Sequence, residues 1–236
     1  MVRKFLLTCG ILSSLLYIAM NIFIPMLYEG YSSVTQTVSE LSSIGAPTRP
    51  LWFSLGIIYT LLVAAFGWGI LQSAGKNRAL RIEGILMIIF GVTGLAWSPM
   101  HQREVIAAGG GTFTDTWHIV MTVVTLILMT LMIVFGAAAF GKRFRLYSMA
   151  SIFLFIVFGI LIGVEAPGIS TNQPTPMIGV WERLNIGVYM LWVIVLAIIL
   201  LWRVKGAGSL TDVTNANLKD KAKGKSEQRY KVKHTA

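Results

Sequence analysis

The sequence predicts an all-α fold: a polytopic membrane bundle of six transmembrane helices, with a short amphipathic helix in the first outer loop. Composition is the first observation behind this, since the chain is 55% hydrophobic and only 13% charged, where soluble domains carry about 25% charged residues. Its mean hydropathy is +0.71. The second is distribution, because the apolar residues are gathered into six long runs separated by short polar stretches. The third is periodicity. The runs lack strand alternation, and in lipid only helices or closed barrels satisfy their own backbone groups.

A spanning helix needs about 20 predominantly apolar residues, and each run meets or approaches that length. The first covers about 5–27, with 24 residues between Lys4 and Glu29 and no charge among them. A secretory signal has an apolar core of only about 7–15 residues, so a retained first helix is expected. It holds the single cysteine, Cys9, read as a buried thiol. The second run, about 51–74, lies within 26 uncharged residues between Arg49 and Lys76. The third, about 82–98, is uncharged after Glu83. The fourth, about 116–140, lies between Asp115 and Lys142. The fifth, about 146–164, and the sixth, about 179–203, each contain 19 uncharged residues between flanking charges. Together they make a transmembrane domain over 1–203. In the fifth run, Gly159 and Gly163 form a G-x-x-x-G, expected to be a close helix contact within the bundle.

From residue 204 to 236 the composition turns basic and polar without helical period, which reads as a disordered cytoplasmic tail. Beside an anionic leaflet each of its basic residues would gain about 1 kcal/mol, so anionic lipid is the expected partner there and membrane lipids elsewhere. The net charge of +10 does not imply nucleic acid. Most of it lies in this tail and in short loops, and no zinc, helix-turn-helix or RNA-binding signature accompanies it.

Lys and Arg set the orientation. The N-terminus, the second and fourth connections and the tail hold 17 of the 20 basic residues, leaving Arg49, Arg103 and Arg183 on the opposite face. By the positive-inside bias, both termini of a cell-membrane protein then lie in the cytoplasm. Glu29, Glu40, Glu104, Asp115, Glu165 and Glu182 fall on the outer face with Trp52, Trp97, Trp117 and Trp181, read as interface anchors. The third connection contains Gly109-Gly110-Gly111 without the Lys and Ser/Thr of a phosphate loop, so a flexible turn is expected.

The stretch Tyr31–Pro50 is the longest polar connection. Ser33-x-x-Gln36 matches a capping box and Gly45-Ala-Pro47 a stop signal. Val34, Val38 and Leu41 share one helical face, and Ser33, Gln36 and Glu40 the other. This predicts an amphipathic helix lying on the bundle. His101 ends the third helix, Asp115 and His118 open the fourth at i and i+3, Glu165 ends the fifth and Arg183 opens the sixth. Ionisable groups at membrane depth usually face the bundle interior and are candidate functional groups.

The stretch QTVSELSSIGAP resembles the Q-T-(I/V)-S-E-L signature of a multi-pass family known as domain of unknown function 998. The resemblance extends to Pro99 ending the third helix, His118 opening the fourth and Gly179-Val-Trp-Glu-Arg183 before the last helix. It covers about residues 5–203. It departs at Met100-His101, where an acidic residue is expected soon after the proline. The resemblance implies a six-helix prokaryotic membrane protein and no established activity.

Three readings of the polar cluster follow. In the first, Gln36, Glu40, His118, Glu165 and Arg183 bind a lipid or small ligand or brace the bundle, with Arg183 paired to Glu40 or Glu165. In the second, a membrane-embedded hydrolase uses His118, Asp115 and Glu40, with His101 and His118 as weak zinc candidates; the H-E-x-x-H spacing is missing. The third is a small-solute transporter, disfavoured because no charge stands out at mid-bilayer depth. The non-catalytic reading leads, and it calls for no cofactor.

Overall fold

The computed structural model describes residues 1–204; the expected basic tail lies outside them. Among the described residues, six helices are long and apolar enough to cross a membrane, at Val2–Leu27, Arg49–Ala74, Arg78–Ala96, Phe113–Ala139, Lys142–Ser170 and Ile178–Val204. They are called the first to sixth helices below. No named strand accompanies them among those residues.

Local chemistry sets the ends. The first helix is α-helical to Phe23 and tightens to a 3₁₀ turn at Ile24–Leu27, where Pro25 removes a backbone donor. Pro50 opens the second helix, and Gly75 (φ +50°) ends it. Asn77 caps the third by accepting from the Leu80 N–H at 3.1 Å, while its Nδ2 donates to the Ala139 carbonyl at 2.9 Å. One side chain thus ties the second turn to the fourth helix. Thr112 and Asp115 form a capping box at the fourth helix.

The core joins all six helices. Leu7, Phe66, Ile70, Leu80, Met87, Met132, Ile133, Trp192 and Leu196 are buried together, whereas Leu15, Phe53, Leu61, Ile119, Ile127, Phe153 and Val164 point outward. An apolar exterior around an apolar core suits a helix bundle whose solvent is lipid. Close packing comes from small residues. A Cβ at Gly84 of the third helix would stand 2.9 Å from the Gly67 carbonyl of the second, and one at Gly91 would stand 3.0 Å from the Ala64 nitrogen. Of the expected Gly159–Gly163 contact, only Gly159 meets another helix among the described residues, at ordinary van der Waals distance: a Cβ there would stand 3.7 Å from Asn185 Nδ2 of the sixth helix. Gly163 faces open space, and helix packing there uses Asn185, whose Nδ2 donates to the Phe155 carbonyl at 2.6 Å.

The first connection is not an amphipathic helix. Turns from Ser32 lead into a 3₁₀ helix at Val38–Ser42, and the capping box is Thr37 with Glu40 rather than Ser33 with Gln36. The faces expected from a 3.6 period do not separate. Val34 is exposed while Glu40, Val38 and Leu41 are all buried, because the segment is held by both its polar and its apolar side chains. Leu41 inserts beside Met20 and Ile24, with Tyr28, Tyr31, Trp52 and Leu55 around them. The connection is therefore a cap seated on the ends of the helices. The third connection is also ordered, as a short α-turn at Arg103–Val105 followed by a wide turn over Ile106–Gly110, where Gly109 sits at φ +80°.

Candidate functional site

The cap is centred on Glu40, whose partner is Arg103 and not Arg183. Arg103 Nε donates to Glu40 Oε1 at 2.8 Å and Nη2 to Oε2 at 2.9 Å, a two-pronged pairing that fits the planar guanidinium. Both residues are buried, Glu40 at 3% and Arg103 at 9% exposure. The remaining valences are used as well. Glu40 Oε2 accepts from the Thr37 N–H at 2.7 Å and the Thr37 hydroxyl at 2.9 Å. Arg103 Nη1 donates to Thr175 Oγ1 at 3.1 Å, and Thr175 donates onward to the Thr35 carbonyl at 2.7 Å. The Glu40 hydrogen bonds and charge hold the Arg103 pKa above its ordinary value, against the opposing effect of burial.

A second group of contacts fastens the cap to the sixth helix. Arg183 Nη1 donates to the carbonyls of Ser33 and Gly179, each at 3.0 Å, and Nη2 to the Tyr31 hydroxyl at 2.8 Å. That hydroxyl donates to the Thr37 carbonyl at 2.6 Å. Burial pushes the Tyr31 phenol up to about 12 although Arg183 beside it acts the other way, so it stays protonated at neutral pH. Glu182 accepts from the Val38 N–H at 2.6 Å. The Gly179 N–H donates to the Val34 carbonyl at 3.0 Å, and a Cβ there would collide with the carbonyls of Gln36 and Ser33.

The other expected residues separate into distinct sets. Glu165 receives the Met177 N–H at 3.0 Å and the Trp181 indole N–H at 3.1 Å, closing the fifth connection apart from Glu40. Asp115 pairs with His101 and not with His118: it accepts from the His101 backbone at 2.7 Å and lies 2.9 Å from its Nδ1. His118 is buried, with Nδ1 2.6 Å from the Ser98 carbonyl and Nε2 3.0 Å from Ser39 Oγ. In the neutral ring the carbonyl, which can only accept, fixes the proton on Nδ1, so Nε2 accepts from the Ser39 hydroxyl. The two weak zinc candidates thus have different partners, and among the described residues no group of three His, Cys, Asp or Glu is placed to hold a metal. Gln36 closes the set; its Oε1 accepts from the Ser32 N–H at 2.8 Å and its Nε2 lies 3.4 Å from Glu40.

A family model described as protein of unknown function (DUF998) matches residues 11–199. The chain belongs to that family. The matched region of this DUF998 member contains the Gln36–Leu41 motif, Pro99, His118 and Gly179–Arg183; His118 and the Gly179–Arg183 stretch hydrogen-bond to the cap. No curated protein and no solved structure matches the chain. Six long apolar helices and this family make it a multi-pass membrane protein of unknown function.

Beside the cap lies an open cavity of about 230 Å³ lined by Tyr28, Glu29, Tyr31, Gln36, Glu40, Gln102 and Glu104, among others. Its inner wall is made of groups already engaged. Glu40 is paired, Gln36 is bonded within the cap, and Gln102 Nε2 donates to the Tyr28 hydroxyl at 3.2 Å. Sequence reasoning missed Arg103, Thr175, Tyr31 and Ser39. Arg103 left one trace: it is the lone basic residue of the third connection, on a face rich in acids.

Proposed function

We propose that this is a non-catalytic protein of the cell membrane, with both termini in the cytoplasm, whose outer-face polar cluster braces the bundle. The observation that carries the reading is the buried two-pronged Glu40–Arg103 pair, which joins the first connection to the third. Arg183, Glu182 and Gly179 extend the brace to the sixth helix. A cluster built to bind a headgroup or small ligand would keep donors free for it. Here Glu40 and Arg103 spend their hydrogen-bonding capacity on each other and on neighbouring protein groups, which favours bracing over binding. The test is the stability of the detergent-solubilised protein after substitution of Arg103 and Glu40.

One contact favours a second reading, acyl transfer on a lipid ester at the membrane face. Ser39 Oγ, half-buried, donates to His118 Nε2, and the Ser98 carbonyl orients the ring. Ser39 Oγ would attack the ester carbonyl and pass its proton to Nε2. The departing alcohol would take that proton and leave an acyl-serine for water to hydrolyse. A fluorophosphonate probe then labels Ser39 of the full-length protein, and labelling is lost in Ser39→Ala and falls at least tenfold in His118→Ala. A folded wild-type protein that takes no label rules this reading out.

A further inference from the structure

Glu83 belongs to neither the cap nor the connections. It lies five residues inside the third helix from Arg78, about 7.5 Å along the axis, and is fully buried at 0% exposure. Neither carboxyl oxygen has a hydrogen-bond partner among the described residues, and no salt bridge among them reaches it. No other carboxylate of the described chain is buried without a partner.

Its surroundings are apolar and tight. Leu80 and Met87, one turn away on either side, are buried at 2% and 1% exposure. The adjoining Gly84 abuts Gly67 and Leu71 of the second helix. Tyr189 of the sixth helix lies within electrostatic reach of Glu83 and of Tyr59 of the second. The Tyr189 hydroxyl points at the sulfurs of Met132, at 3.4 Å, and Met87, at 3.8 Å, rather than at the carboxyl. The nearest arginine in sequence, Arg81, turns its Nη2 to the Gly75 carbonyl at 3.0 Å. Lys76 and Arg78 form no ion pair with Glu83.

An unpaired carboxylate in such a place would forfeit its hydration with nothing in return, and a group so placed takes up a proton instead. We propose that Glu83 is a proton-binding site inside the bundle, held as the neutral acid in this packed arrangement and open to exchange only when the second and third helices part. The seam between those helices beside Glu83 is the path: there Gly67 and Gly84 bring the two backbones together, with the side chains of Leu71 and Ile88 packed against the glycines. The proposal is independent of the cap and does not use the Glu40–Arg103 pair.

Infrared spectroscopy of the full chain in lipid films at neutral pH tests it. The expected spectrum contains a protonated-carboxyl C=O band that is lost in Glu83→Gln, an isosteric replacement. If that variant does not fold, Glu83→Met supplies the same comparison. On transfer to heavy water the band shifts far more slowly than the backbone amides of the exposed connections exchange. A wild-type film with no Glu83-dependent band overturns the proposal, as does a band that shifts at once.

Discussion

Replacing Arg103 with alanine lowers the unfolding free energy of the solubilised protein by about 3–5 kcal/mol, the cost of leaving one partner of a buried ion pair without the other. The substitution strips Glu40 of two charge-assisted hydrogen bonds and frees Thr175 from its donor while leaving the carboxylate buried. Arg103→Lys recovers only part of the loss, because an ammonium cannot hold both carboxylate oxygens in the fork geometry and also reach Thr175. Denaturant titration of the three proteins in one detergent reads both effects. Equal stabilities would show that the pair does not brace the bundle.

Gly179→Ala has the second largest expected effect. The added methyl group would meet the carbonyl oxygens of Gln36 and Ser33, which are backbone and cannot swing aside as a flexible side chain can. Either the start of the sixth helix or the cap must shift, breaking the Gly179–Val34 hydrogen bond and disturbing the Arg183 contacts. The expected loss is about 2–3 kcal/mol, towards the upper end for overpacking. New proteolytic cleavage within residues 31–47 accompanies it as the cap lifts. Wild-type stability and cleavage would mean that the cap is not seated on this glycine.

The six spans were legible because long uncharged runs carry their meaning locally: length and hydropathy decide them without any knowledge of neighbours. Helix ends such as those at Pro50 and Gly75 are set by a residue acting on its own backbone and so are encoded locally. The cap was not. Its apolar spacing fits a 3.6 period, yet Glu40 faces inward beside Leu41, because Arg103, 63 residues further on, compensates its charge. No local pattern encodes such a partner. The same limit explains Asp115 and His118, whose i, i+3 spacing suggests a shared role although each reaches across to a different connection, Asp115 to His101 and His118 to Ser39. Glu83 reads as the boundary of the third run because it is charged; its burial depends on the second and sixth helices closing around it. For Glu40 an ion pair was expected, with Arg183; the structure pairs it with Arg103 instead, and the glutamate also serves as a capping acid.

The most direct measurement of the brace is a double-mutant cycle between Glu40 and Arg103, using Glu40→Met, Arg103→Met and the two together. The predicted result is a coupling of about 2–3 kcal/mol, the double variant being clearly more stable than the sum of the single losses implies, because it leaves no buried charge unpaired. Single losses that add to within about 0.5 kcal/mol would contradict the pairing and, with it, the bracing role of the cap.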